Sequence, residues 1–309
     1  MQQRKFSHYL IIFLKGIAMG AADVVPGVSG GTIAFISGIY EELLSSISAV
    51  NFATLKLLKK EGIKAAWKAI NGHFLLALLS GIFISIISLA KLISWLLENK
   101  PIMVWSFFFG LVLASILYVG KQIEKWNAVT IILLIIGAFA AYFITTLQPA
   151  VENTSLLFYF IAGALAICAM ILPGISGSFI LVLLGAYKPV LDAIHNRNIK
   201  LIGLVAIGAV VGLLSFSKIL RWLFDHHKNY TLAVLTGFIL GSLNKIWPWK
   251  ETLSWRVNSH GIKVPFNEQS ISPFSFEGDS QLMMAVILSI IGFSVIILLE
   301  KLANISNKK

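Results

Sequence analysis

The sequence predicts an all-α polytopic membrane protein made of two inverted repeats, each a re-entrant (broken) helical hairpin followed by three transmembrane helices. Three observations carry this reading. The 309 residues are 57% hydrophobic and only 13% charged, against about 25% charged in an average soluble domain, and the mean hydropathy is +0.85. Charge-free apolar runs recur along the chain, and about 20 such residues cross a bilayer as a helix. Two distant stretches repeat each other around a shared Pro-Gly-x-Ser-Gly turn. The composition alone excludes a water-soluble enzyme.

In chain order, residues 8–47 form the first broken hairpin, with an apolar arm at His8–Ala22 that carries Lys15 and a shorter one at Thr32–Tyr40. Arg4 and Lys5 imitate the basic start of a signal peptide, yet Lys15 interrupts the apolar core that such a peptide needs. Residues 52–70 read as an amphipathic surface helix. Lys56, Lys60, Lys64 and Lys68 recur every four residues, while Leu55, Leu58, Ile63, Ala66, Trp67 and Ile70 collect on another side. Such a helix lies in the headgroup region with its lysines on anionic lipids, and Gly62 is its natural kink. Spans at 74–97, 103–120 and 128–147 complete the first repeat, residues 1–147. The second repeat, 156–300, opens with a hairpin over 156–194 and continues with spans at 201–224, 231–247 and 282–299. Its polar stretch 248–281, with Pro248, Pro265 and Pro273, reads as an extracellular loop without a catalytic pattern. Cys168, the only cysteine, permits no internal disulfide and is expected to be a buried small residue.

Residues 16–47 align without a gap on 163–194, matching Gly16/Gly163, Gly27/Gly174, Ser29/Ser176, Gly30/Gly177, Gly38/Gly185 and Tyr40/Tyr187 among others. A second stretch runs from Gly81 with Gly208 and matches Lys91/Lys218, Trp95/Trp222, Gly110/Gly237 and Ser115/Ser242. Each half crosses three times if its hairpin only dips into the membrane, or five times if both arms cross. Either number is odd, so the halves insert with opposite orientations. With both termini cytoplasmic, 14 Lys and Arg fall inside and eight outside, and three remain within the spans. The positive-inside rule favours that orientation, although Lys188, Arg197 and Lys200 run against it. The net charge of +11 is therefore read as topology and anionic-lipid contact rather than as a nucleic-acid surface.

The paired turns are the candidate site. Irregular backbone at membrane depth survives only where protein covers it or where it lines a wet cavity. Gly27, Gly30, Gly31, Gly174 and Gly177 permit close approach, and Ser29, Thr32, Ser176 and Ser178 offer hydroxyl donors. Each turn precedes a helix start, whose unpaired N–H groups suit an anion, phosphate above all. The competing reading is a helix break that allows tight packing, with the serines bonded to carbonyls. Lys91 and Lys218 each stand four residues before a Trp at equivalent positions, and read either as gates for an anionic headgroup or as lysines snorkelling to an interface. Arg221 has Ser94 as its counterpart and joins them as an unpaired headgroup charge. Asp23, where the second half has Met170, either couples transport to protons or caps the chain that follows.

The doubled Pro-Gly-x-Ser-Gly turns, with Gly20-Ala21-Ala22-Asp23 before the first and Gly185-Ala186-Tyr187 after the second, resemble the bacterial polyprenyl-phosphate translocases, formerly domain of unknown function 368. The likeness spans about residues 8–300. It implies a multi-pass plasma-membrane flippase that returns undecaprenyl phosphate from the outer to the inner leaflet in support of cell-wall synthesis. It implies a polyprenyl-phosphate lipid as substrate, and no cofactor or catalytic residue is carried over. Two alternatives stay open. A carrier or channel for a small soluble anion would use the same turns. A polyprenyl diphosphate phosphatase would need a general acid or base beside the serines, and no His, Glu or Arg adjoins the turns in sequence. The six histidines also lack metal-ligand spacing.

Overall fold

The computed structural model describes residues 4–25, 27–150, 155–257 and 263–306. Pro26 of the first turn, His260, Lys308 and Lys309 lie outside the described residues. The chain opens with α1 (Phe6–Val24), then breaks into two short helices, α2 (Gly30–Ile36) and α3 (Tyr40–Ser48). The surface segment divides at Gly62, as its kink point foretold, into α4 (Phe52–Glu61) and α5 (Ile63–Ala69). Long helices follow as α6 (Gly72–Asn99), α7 (Pro101–Gly120) and α8 (Ala128–Thr146).

Among the described residues the second half follows a similar order without counterparts of α4 and α5. It comprises α9 (Leu156–Ile171), α10 (Gly177–Leu183), α11 (Tyr187–His195), α12 (Ile199–Ser242) and α13 (Leu282–Ser306). The spans expected at 201–224 and 231–247 are merged in α12, whose backbone leaves helical geometry at His227 (φ −136°, ψ 44°). At about 1.5 Å per residue a straight helix of this length would far exceed a bilayer's thickness, so the break at His227 divides it into two arms.

Among the described residues five helices are long and apolar enough to cross a membrane: Phe6–Val24, Gly72–Leu89, Pro101–Gly120, Ala128–Thr146 and Ile199–Ile246. The pair α10 and α11, bent by 107°, makes a sixth if it is one broken span. The chain is thus an all-α polytopic membrane protein with one exception. Within the polar loop, β1 (Lys250–Val257) pairs antiparallel with β2 (Lys263–Ser270). The alternation Thr252-Leu253-Ser254-Trp255 supplies the period of two that a strand needs. Cys168 is half-buried rather than buried, its thiol 3.7 Å from the Gly212 carbonyl. Apolar side chains cover the outward faces, as Ile132, Ile135, Ile136 and Phe139 do on α8. That is the surface expected where the solvent is lipid.

Glycines set the packing. A Cβ on Gly16 would lie 2.3 Å from the Leu78 carbonyl oxygen and one on Gly20 2.6 Å from that of Ile82, so α1 and α6 touch backbone to backbone and run in the same direction. Small residues at such contacts are the usual means of close helix approach in membranes. The segment α2–α5 therefore brings the chain back to the end at which α1 began. Arg4 fixes this return through two bonds to the Glu42 carboxylate, at 2.6 and 3.0 Å. The second half packs alike, Gly208 against Phe160 and Gly212 against Ala164, so α9 and α12 also run in parallel. The remaining long helices pair across the halves, α7 with α13 through Gly110 and Gly292, and α8 with the end of α12 through Gly137 and Gly237. The main core gathers where these pairs meet the hairpin helices, around Val25, Val28, Leu44, Phe74, Leu232 and Ile239.

Candidate functional site

Both turns are built in the same way. Gly27 (φ +85°) and Gly174 (φ +92°) hold left-handed backbone that a side chain resists. Ser29 and Ser176 then N-cap the helices that follow. Ser29 Oγ accepts from Gly31 N at 3.1 Å and Ser176 Oγ from Phe179 N at 3.2 Å.

The fold brings the two turns into contact. Ser29 Oγ donates to the Met170 and Leu172 carbonyls, at 3.3 and 3.2 Å, and Gly174 N donates to Thr32 Oγ1 at 3.0 Å. Tyr40 OH donates to the Ile171 carbonyl at 3.1 Å. A Cβ on Gly31 would lie 2.6 Å from that same carbonyl oxygen. The hydroxyls of Ser29 and Thr32 are thus engaged between the halves, while Ser176 and Ser178 share a 3.2 Å bond with each other. Ser29, Thr32 and Ser176 are buried.

The first helix start already holds an anionic group of the chain itself. Asp23 Oδ1 accepts from Gly30 N at 2.7 Å, and a Cβ on Gly30 would lie 2.5 Å from Asp23 Oδ2. At the second turn Met170 occupies the equivalent position, and Gly177 packs instead on the Ala166 carbonyl. The sites differ in charge although they share a backbone.

The remaining predicted charges lie elsewhere. Lys91 and Lys218 are on exposed surface, as are Trp95 and Trp222, the latter pair 54% and 51% accessible. The parallel packing of α1 on α6 and of α9 on α12 sets each lysine level with the turn of its own half. Arg221 NH1 donates to Ser48 Oγ at 3.1 Å and its Nε lies 3.7 Å from Asp225. It lines a cavity of about 1230 Å³ under α5, together with Arg4, Glu42, Lys64, Trp67 and His73. A smaller cavity of about 520 Å³, bounded by Phe35, Tyr40, Glu41, Glu42, Tyr118 and Lys121, extends along the hairpin arm to Tyr40.

One cation beside the turns was not singled out by sequence reasoning. Lys245, in a 3-10 turn over Leu243–Ile246, lays its stem against Gly27, where a Cβ would meet its Cγ at 2.9 Å. Its Nζ stands 5.0 Å from the Phe179 ring centroid, just past the second turn. Placed at the end of a span, it reads as a loop charge. In the alignment that matches Gly110/Gly237 and Ser115/Ser242 its counterpart is Tyr118, so a search for repeated charges passes over it. Its signal was asymmetry.

Residues 19–264 match the family model described as undecaprenyl phosphate translocase-like. The chain is 52% identical over 304 residues to a polyprenyl-phosphate transporter of Vibrio cholerae serotype O1, covering 97% of this chain and 99% of that protein. It is 35% identical over 266 residues to a polyprenyl-phosphate transporter of Staphylococcus aureus, covering 80% and 88%. No solved structure matches the chain.

Proposed function

The chain belongs to the undecaprenyl phosphate translocase-like family, and on that premise we propose that it moves a polyprenyl phosphate between the leaflets of the plasma membrane, from outer to inner. The headgroup passes between the paired turns around Gly27–Thr32 and Gly174–Ser178 while the isoprenoid tail stays in lipid. The observation that carries this reading is the contact of the two turns through Ser29, Thr32 and Gly174. These are a few hydrogen bonds between matched elements, a junction that opens and closes at modest cost. The engaged hydroxyls correspond to a closed junction. Parting of the turns frees Ser29, Thr32 and the Gly174 N–H for phosphate oxygens.

Several features support opposed repeats and alternating access. The parallel packing of α1 with α6, and of α9 with α12, is what hairpins that return to their starting side produce, and it supports an odd number of crossings per half whether the arms dip or span. Such halves point opposite ways, which is the arrangement that lets one rock against the other. Both termini then share the cytoplasmic side, where the lysines of α4 and α5 meet anionic lipid. Lys91 and Lys218, exposed at turn depth, serve as lateral entry charges. Arg221 serves the cavity under α5. Asp23 leaves Gly30 N when a phosphate takes its place, and protonation assists that exchange.

The test is a leaflet-resolved assay with full-length protein in liposomes carrying a polyprenyl phosphate. Wild type is expected to transfer the lipid intact, and Thr32→Val with Ser29→Ala to slow transfer at least tenfold while the protein stays folded. A hydrolysed phosphate product overturns the transporter reading, and unchanged transfer in the folded double variant overturns the role of the turns.

A further inference from the structure

The β-hairpin end of the molecule carries more positive charge than its folding explains. Lys250 opens β1, and its side chain is only 9% exposed. Its Nζ donates to the Lys245 carbonyl at 2.7 Å, stands 4.2 Å from the Trp105 ring centroid, and lies 3.9 Å from Glu268 Oε2. Glu268 reaches it because β2 pairs Glu268 with Thr252, two residues along from Lys250. Lys245 starts from the same turn and lies against Gly27 and Phe179. Among the described residues no carboxylate is within 4 Å of it. The bond from Lys250 to the Lys245 main chain sets the two lysines side by side. Two lysines therefore share one carboxylate in a sheltered place, and one positive charge is left over.

Shelter makes this arrangement costly. A partly desolvated ammonium is tolerated when an anion or a π face compensates it, and a single Glu at 3.9 Å is a loose partner. A structural tie alone would need only one of the two lysines. A phosphate monoester at neutral pH carries about −1.5 to −2 charges, which matches two ammonium groups. The surroundings fit the rest of such a lipid. Trp247 stacks edgewise on Trp249 and on Phe109, at 5.4 and 5.3 Å between centroids. Both indole N–H groups are already engaged, with the Ile271 and Ser280 carbonyls. Trp249 is buried with Ile102 and Ala285, and Trp247, packed on it and partly exposed, is left as an apolar edge for the first isoprene units.

We propose that Lys245 and Lys250 form the site that captures the phosphate monoester headgroup at the hairpin end of the paired turns, with Glu268 holding the place of the phosphate until it arrives. The proposal rests on the transport reading above and adds the residues of first contact. Glu268 swings outward to solvent on the exposed strand as the headgroup enters. Lys245 then spans the distance to the turns, since its stem touches Gly27 and its ammonium sits over Phe179. Lysine suits this duty, being a compact charge on a flexible stem that holds phosphate without a rigid fork. The hairpin thereby delivers half of a binding site.

The experiment measures equilibrium binding to the full-length protein in detergent, read by tryptophan fluorescence, beside the liposome assay. The probes are farnesyl phosphate, inorganic phosphate and farnesol. Lys245→Gln and Lys250→Gln are each expected to weaken farnesyl phosphate about tenfold, the worth of one charged hydrogen bond. Lys245→Arg is expected to retain most of the affinity, and Glu268→Gln to raise it several-fold. A purely structural cluster would lose binding in Glu268→Gln together with the lysine variants, which overturns the proposal. Inorganic phosphate bound as tightly as farnesyl phosphate overturns the lipid assignment, and farnesol bound as tightly overturns the role of the charge. Wild type that translocates lipid while all variants bind equally well refutes the capture site alone. Binding that needs both lysines, without translocation, refutes the transport reading and leaves the site.

Discussion

At the scale of single residues, the hydroxyls and the charges of the site do separate work. Ser29 and Thr32 join the halves, Asp23 neutralises a helix start, and Lys245 with Lys250 carries the uncompensated charge. Lys250 lies in the hairpin, outside the spans, and its ammonium is pushed down to about 8 from 10.5. Burial is the largest cause; Glu268 opposes it and Lys245 adds to it. Among the described residues these two are the charged groups acting on it. The sign of the pH dependence follows. Between about 8 and 10.5 the folded chain binds fewer protons at Lys250 than the unfolded chain does, so stability rises with pH across that window. The penalty of the buried charge is fully present below about 8. Thermal unfolding in detergent, followed from pH 7 to 10, is expected to show wild type gaining on Lys250→Met as pH rises. A constant gap between the two would remove Lys250 as a buried cation. Headgroup capture runs the other way and weakens above pH 8, where the ammonium is lost while the phosphate stays ionised.

At the scale of elements, each broken hairpin holds two left-handed glycines, Gly27 and Gly38 in the first and Gly174 and Gly185 in the second, and the two at the Pro-Gly turns differ in what surrounds them. A Cβ at Gly27 would press on the Lys245 Cγ at 2.9 Å, part of a flexible side chain that can shift. A Cβ at Gly174 would meet the Phe238 carbonyl oxygen at 2.9 Å and Ser242 Oγ at 2.8 Å, on a packed helix. Both substitutions incur about 1–2 kcal/mol for left-handed backbone, and the second adds about 1–3 kcal/mol of overpacking. Gly174→Ala is therefore expected to destabilise clearly more than Gly27→Ala when the two are unfolded in the same detergent, and equal losses would contradict this packing. The hairpins were legible in sequence because Pro, Gly and Ser recur at one spacing of 147 residues, and α2, α3, α10 and α11 begin on matched positions. The β-hairpin was not, since its eight-residue strands lie in a proline-bearing polar stretch and gain their order from Trp247, Trp249 and Lys250 packing beneath. The two arms of α12 meet at the non-helical His227, between the stretches 201–224 and 231–247 that read from sequence as separate spans. The lysine pair of the capture site escaped for the same reason as the strands. Its members are five residues apart, but their packing on Gly27, Phe179 and Trp105 is tertiary, and neither has a charged counterpart in the other half.

At the scale of the whole molecule, the pairing of helices decides what can move. α1 with α6 and α9 with α12 are held by glycine contacts within each half, whereas α7 with α13 and α8 with the end of α12 cross between halves. Among the described residues the two hairpins are joined by hydrogen bonds at their turns and at Tyr40, and α3 of the first hairpin also meets α12 through Ser48–Arg221 and Glu41–Lys228. Rocking that exposes a headgroup to alternate leaflets has to part Ser29 from Leu172, now joined by a 3.2 Å hydrogen bond. A covalent bridge at that point should therefore stop transport without disturbing the fold. In a Cys168→Ser background, Ser29→Cys with Leu172→Cys would be joined by a short thiol-cleavable cross-linker. Translocation in liposomes is expected to fall at least tenfold on cross-linking and to return on reduction, while either single cysteine stays insensitive to the reagent. Thermal unfolding that remains unchanged or rises on cross-linking shows the loss to be one of motion and not of folding. Full transport by the cross-linked protein would mean that the turns never part, and the headgroup path would have to lie along the lipid-facing surface marked by Lys91 and Lys218 instead.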